Sequence, residues 1–133
     1  MYLLDTNTCI FIINQNPISA RGKFDSIPIS EIAISSITYF ELDAGARKGT
    51  RAKDSLSKIQ AFIRLVQVMP FDENAAQAAG ELKQFLREQG TPIGDMDLLI
   101  AAHGLSLQAV IVTNNTKEFS RVPNLKLEDW LNP

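Results

Sequence analysis

Ala109-Val110-Ile111-Val112-Thr113 is a β-branched run without polar alternation, the pattern of a strand buried on both faces. Such a strand needs helices packed above and below it, and the rest of the chain has the pattern to supply them. Four other short apolar runs, Tyr2–Leu4, Ile32–Ser35, Leu65–Met69 and Leu125–Leu127, are expected strands. Helical spacing fills the intervals. One helix is expected from near Thr6 to the stretch Asn14–Pro17, and a hairpin from Thr38–Lys48 and Ala52–Ile63 broken at Gly49-Thr50. A fourth helix spans Asn74–Gln89, with Gly90 as its stop, and a fifth spans Asp95–Leu107. Strands alternating with helices predict an α/β fold of three layers, α/β/α, around a central, mainly parallel sheet of about five short strands. No repeat, low-complexity tract or linker interrupts residues 1–133, so a single domain is expected.

Composition narrows the function classes. A net charge of −2 argues against a protein that coats nucleic acid with a basic surface. The charge is nonetheless unevenly spread: Arg47, Lys48, Arg51, Lys53 and Lys58 share one stretch with the single acid Asp54, whereas Asp72 to Asp97 is strongly acidic. A basic rim beside an acidic pocket is compatible with that polarity, and so is a plain solvated helix face. The lone Cys9 lies among apolar residues, cannot form an internal disulfide and reads as a buried structural thiol. No apolar run reaches the length of a membrane span and no leader pattern is visible, so no membrane association and a cytoplasmic location are expected.

Three acids stand where an apolar run gives way to a helix. Asp5 follows Tyr2-Leu3-Leu4, Glu41 lies beyond Ile32-Ala33-Ile34, and Asp97 opens Leu98-Leu99-Ile100-Ala101-Ala102. In an open parallel sheet, ligands gather outside the carboxyl ends of the strands, so acids distant in sequence can meet there. Clustered acids repel one another unless a cation neutralises them, and all-oxygen ligands suit Mg²⁺ or Mn²⁺. Each acid also has a local explanation. Asp5 fits a helix N-cap, Thr38-Tyr39-Phe40-Glu41 matches a capping box, and Asp95 and Asp97 complement a helix dipole. Around them, Asn7 and the segment Thr113-Asn114-Asn115 could orient the acids or water, or simply form Asx turns and caps. Glu118 is either a fourth acid or an exposed helix charge. His103, the only histidine, sits on an apolar helix and cannot form a His/His acid–base pair. There is no Gly-rich phosphate loop, nucleophile elbow or Cys/His cluster.

Leu4-Asp5-Thr6-Asn7, Ser35-Ser36-Ile37-Thr38-Tyr39-Phe40-Glu41-Leu42 with Gly45, Gly94-Asp95-Met96-Asp97-Leu98-Leu99-Ile100-Ala101-Ala102-His103, and Val112-Thr113-Asn114-Asn115 with Glu118-Phe119 resemble the PIN-domain VapC toxins, as does Leu127-Glu128-Asp129-Trp130. The likeness runs the length of the chain, with the motifs in order. It implies a PIN-like ribonuclease domain: the Mg²⁺-dependent (or Mn²⁺-dependent) endoribonuclease of a type II toxin–antitoxin pair. Asp5, Glu41 and Asp97 match the family's catalytic acids, Asp5 and Asp97 its metal ligands, and Asp95, Asn7, Thr113, Asn115 and Glu118 are secondary candidates. Many members carry an acid where this chain has Asn115, so one well-held cation, with Asn115 positioning water, is the expectation. The implied partners are an RNA substrate (initiator tRNA cut in its anticodon loop, in the branch of nearest appearance), a VapB-type antitoxin covering the acidic pocket, and a second copy of the chain in a homodimer. Exposed apolar residues around Phe40, Leu56, Ile59 and Phe62 are candidates for the antitoxin's groove, with core packing as their other use.

Two rivals remain at this stage. A HAD-like phosphatase also places an acid after its first strand, but it wants a second acid where Asn7 stands. A catalytically silent PIN-like RNA-binding or regulatory module would use the acids only as caps.

Overall fold

The computed structural model describes residues 1–132. The chain runs β1 (Tyr2–Leu4), α1 (Thr6–Asn14), α2 (Ile18–Ser26), β2 (Ile32–Ser35), α3 (Ser36–Arg47), α4 (Ala52–Leu65), β3 (Gln67–Met69), α5 (Glu73–Glu88), α6 (Asp95–Leu107), β4 (Val110–Val112), α7 (Thr116–Phe119) and β5 (Lys126–Glu128). The five strands form one sheet in the order β3-β2-β1-β4-β5, and every neighbouring pair is parallel. The chain builds outward from β1 through β2 to β3, then crosses back to place β4 on the other side of β1. That reversal opens a crevice at the carboxyl end of β1, the kind of place where open α/β sheets bind ligands.

Period-two alternation divides the strand side chains between two cores. Leu4, Ile32, Ile34 and Val112 point to one face, where they meet Cys9, Ile12, Ala20, Phe24, Leu42, Ile59, Phe62 and Trp130. Leu3, Ala33 and Ile111 point to the other, against Leu82, Leu86, Ile100, Ala101 and Phe119. Both faces are covered over the three central strands β2, β1 and β4, which is why their runs read as continuously apolar. At Gly104, α6 comes so close to β4 that an added Cβ would stand 2.5 Å from Ile111 Cδ1. The glycine therefore fixes how tightly the helix bearing Asp97 lies on the sheet. Among the described residues, no helix is long and apolar enough to cross a membrane.

Helix starts and stops follow local chemistry, with two departures from expectation. Asp72 caps α5 by accepting a hydrogen bond from Ala75 N at 3.0 Å, and Gly90, at φ 71°, follows its end as expected. α3 begins before Thr38: the Ser35 hydroxyl accepts from Ile37 N at 3.0 Å and caps it. Thr38 thus lies inside the helix, fully buried, with its hydroxyl unpartnered among the described residues. The expected capping box does not form, and Glu41 is left free for another contact. α2 was not expected from the sequence. Only Ala20 and Phe24 of its nine residues are buried, too few to make a periodic stripe.

Candidate active site at the carboxyl edge of the sheet

Asp5 ends β1 and caps α1. Its Oδ1 accepts from Thr8 N at 2.9 Å, while its own N–H donates to the Val112 carbonyl at 3.0 Å and so extends the β1–β4 ladder. The Thr113 hydroxyl also hydrogen-bonds the Asp5 carboxylate, while its oxygen accepts from Asn115 N at 2.9 Å. The acid is only 4% exposed. Burial raises its pKa above the usual carboxylate value, the Thr113 and Thr8 hydrogen bonds oppose that rise, and the nearby charge of Asp129 adds to it. Strand and cap geometry therefore hold a charge that its surroundings resist.

Asp97 lies in the first turn of α6 and faces Asn115 and Glu118. The Asn115 amide donates to Asp97 Oδ2 at 3.2 Å and to Glu118 Oε2 at 2.7 Å, spanning both carboxylates. Asp97 is pushed up to about 6, first by burial and then by Glu118 and Asp5, with Asn115 opposing. Glu118 is lowered instead, chiefly by the Asn115 amide and then by Asp97. A proton shared by this pair accordingly rests on Asp97. The short helix α7 thus returns, one turn later, the negative charge missing at Asn115. Converting the bridging donor into a third acid, Asn115→Asp, is expected to lower Tm of the metal-free protein by roughly 3 °C at pH 7. Most of that loss should be recovered on adding Mg²⁺, which thermal unfolding with and without the ion will show.

Glu41, one turn inside α3, is reached from the neighbour of Asp5: the Thr6 hydroxyl donates to Glu41 Oε1 at 2.5 Å. It borders a cleft of about 260 Å³ between α1, α3 and α4, walled by Ile10, Ile13, Leu42, Ile59 and Lys58. Phe40 is exposed, but Ile59 and Phe62 are core residues, so of those apolar side chains Phe40 is the surface one. In the basic stretch, Arg47 pairs with Asp43 and Lys58 with Asp54 within the helices.

The other candidates lie outside the cluster. Asp95 points away and forms an exposed ion pair with Lys83 at 3.6 Å. Asn7 is exposed on α1, facing neither acid through a hydrogen bond. His103 is buried, with Nδ1 2.8 Å from Ser35 Oγ and its ring edge-on to Phe71 at 5.3 Å. Burial lowers its pKa. Sequence reasoning did not find Thr6, Thr8 or Asp129. Only the polar type of Thr6 and Thr8 beside Asp5 hinted at a role.

Among the described residues, no three Asp, Glu, His or Cys side chains stand close enough to enclose an ion by themselves. Mg²⁺ commonly keeps several waters and takes one or two carboxylates, ligands of the kind Asp5 and Asp97 would offer. Burial first, and neighbouring negative charge second, raise the pKa of Asp97 and of Asp5, and a bound cation would offset both.

The PIN domain pattern matches residues 2–125. The chain is 41% identical to the tRNA(fMet)-specific endonuclease VapC of Salmonella typhimurium, covering 97% of each. It is 40% identical to ribonuclease VapC2 of Rickettsia felis, covering 98% of each. The fold matches the toxin chain geometry of solved complexes: a TM-score of 0.92 at 41% identity with DNA-bound VapBC from Salmonella typhimurium, over 97% of each chain. With VapBC-1 of nontypeable Haemophilus influenzae the TM-score is 0.88 at 36% identity, over 98% of each chain. Sequence and fold agree, and the chain belongs to the PIN domain family, in its VapC branch.

Proposed function

We propose that residues 1–133 form a single catalytic domain, the toxin of a VapBC-type pair, which cleaves RNA with a divalent cation held by Asp5 and Asp97. The observation that carries this reading is the placement of Asp97, joined through Asn115 to Glu118, beside the capped Asp5 at the open end of the sheet. The ribonuclease names of the relatives support the activity, and the Salmonella typhimurium name supports tRNA as the substrate class. The VapBC complexes support a VapB-type antitoxin as partner. A homodimer and a cytoplasmic site of action complete the reading.

Each residue has a task. Asp5, fixed by Thr8 and Thr113, offers an oriented carboxylate. When bound, the cation supplies charge neutralisation at the attacked phosphate and makes water more acidic. Asp97, at the open end of the sheet, is placed to accept the proton of the attacking water. Its Oδ2 is held by Asn115, which orients the carboxylate for that transfer. Glu41, tethered by Thr6, guards the cleft side of the site. Water forms a bond to phosphorus as the bond to the 3′ oxygen breaks, leaving a 5′-phosphate and a 3′-hydroxyl.

Asp5→Asn tests this directly. The amide keeps an Oδ1 acceptor for Thr8 N–H, so the cap survives while the charge goes. RNA cleavage should fall by at least about 100-fold, in line with loss of charge stabilisation at a reacting centre, while Tm stays within a few degrees of wild type. Wild-type cleavage should stop in excess EDTA and return with Mg²⁺ or Mn²⁺. Undiminished cleavage in either arm would overturn the cation–carboxylate mechanism, and no cleavage by the wild-type protein would favour the catalytically silent module.

A further inference from the structure

We propose that His103, outside the acid cluster, is a positioning residue. By accepting a hydrogen bond from Ser35 at Nδ1, it locks the start of α3 to α6 and so sets Glu41 relative to Asp97. This inference rests on the ribonuclease reading above and adds a residue to it.

The hydrogen-bond balance gives the direction of that bond. Ser35 and His103 are both buried. Ser35 Oγ already accepts from Ile37 N at 3.0 Å as the cap of α3. If His103 Nδ1 carried a proton, the Ser35 proton would be buried with no acceptor among the described residues, an arrangement buried polar groups avoid. The Ser35 hydroxyl therefore donates across the 2.8 Å contact, and His103 is the neutral Nε2–H tautomer. The Pro70 carbonyl lies close enough to favour a ring N–H, and Asp72 is the charged group whose field reaches the ring. Burial outweighs both and keeps the ring neutral.

Three segments therefore meet at one imidazole. Its own helix carries Asp97. Ser35 starts the helix that carries Glu41. The Pro70–Phe71 connection packs on the ring and is tied to the same helix start, because Ser36 Oγ accepts from Phe71 N at 2.9 Å. Asp97 lies six residues from His103, and Glu41 six from Ser35. At 1.5 Å of rise per residue, each acid is about 9 Å along its helix from the junction. A tilt of roughly 5° at the junction would shift a carboxylate by about 0.8 Å, and misplacement of about 1 Å can cost about 100-fold in rate.

The side chains available at this position separate placement from mere packing. His103→Asn keeps an acceptor near the Nδ1 position, His103→Gln puts its amide near Nε2 instead, and His103→Phe fills the space with neither. In RNA cleavage, Gln and Phe should lower kcat by roughly 30-fold, with KM changed by less than about threefold, while Asn stays within about threefold of wild type. Mn²⁺ binding, followed by electron paramagnetic resonance without RNA, should weaken by about tenfold in Gln and Phe and recover in Asn. Equal losses in Asn and Phe, or unchanged Mn²⁺ affinity and kcat in Phe, would overturn the proposal. If wild-type protein cuts no RNA but Mn²⁺ binding follows this order, the ribonuclease reading fails and the role of His103 stands.

Discussion

Asp97→Asn is expected to make the metal-free protein more stable at pH 7 while lowering RNA cleavage by at least about 100-fold. The two effects share a cause. Asp97 titrates near 6 in the fold, above an ordinary carboxylate value of 3.8. A raised folded-state pKa means that the native state holds the proton more tightly than the unfolded chain. The resulting stabilisation is fully present below about 4 and is lost as pH rises through about 6. At neutral pH the wild-type protein therefore holds an ionised acid its surroundings resist. The shift corresponds to a few kcal/mol at most, and partial exposure to solvent reduces this to about 1 kcal/mol. The amide variant should melt about 4 °C higher in EDTA at pH 7, with the gap closing as pH approaches 4. Mg²⁺ should raise Tm of wild type and leave the variant nearly unchanged, since only a native state that binds the ion gains from it. A variant less stable than wild type at pH 7 would falsify the claim that burial and neighbouring charge oppose ionisation of Asp97.

The second large effect lies at the other end of the chain. Trp130 is 1% exposed, tilts against Tyr2 at a centroid distance of 5.7 Å, and donates from Nε1 to Glu128 at 3.0 Å. It packs into the same core as α1 and α4 although it follows the last strand. Trp130→Ala opens a cavity and leaves Glu128 without its donor. The expected cost is about 3–5 kcal/mol, against a total of roughly 5–15 kcal/mol for a protein of ordinary stability. Urea unfolding should show a large drop in midpoint with little change in slope. Trp130→Phe, which keeps most of the packing, should lose far less. A loss under about 1 kcal/mol for alanine would mean that this terminal segment is not part of the cooperative core.

Much of this was legible from side-chain type and spacing. All five strands lie within a residue or two of their apolar runs; the buried β1, β2 and β4 have no strongly polar interior to blur them, whereas the edge strands β3 and β5, with exposed Gln67 and Lys126, are shifted. Asp5 was legible as both cap and site because strand end and helix start coincide there. Asp95 and Asp97 competed in sequence, but residues two apart on a helix point to different sides, and the fold turns Asp97 inward and Asp95 toward Lys83. Glu118 was harder to place. Its contact with the Asp97 region depends on a short helix whose existence only tertiary packing of Phe119 secures. The Thr6–Glu41 contact spans 35 positions and depends on α3 starting at Ser36. No local pattern encodes that distance.

The central position of β1 has a consequence for the making of the protein. Its partners in the sheet are β2 and β4, and the groups around Asp5 come from Thr113 and Asp129 as well as from the adjoining helix. Asp5 is therefore synthesised early and waits through more than a hundred residues for the segments that complete its surroundings. During translation, which proceeds from the amino end, Asp5 stays apart from these groups until the segments bearing Thr113 and Asp129 have been made. Assembly of the pocket is thereby timed by the order of the strands: the surroundings of Asp5 stay incomplete until the segment bearing Asp129 has been made.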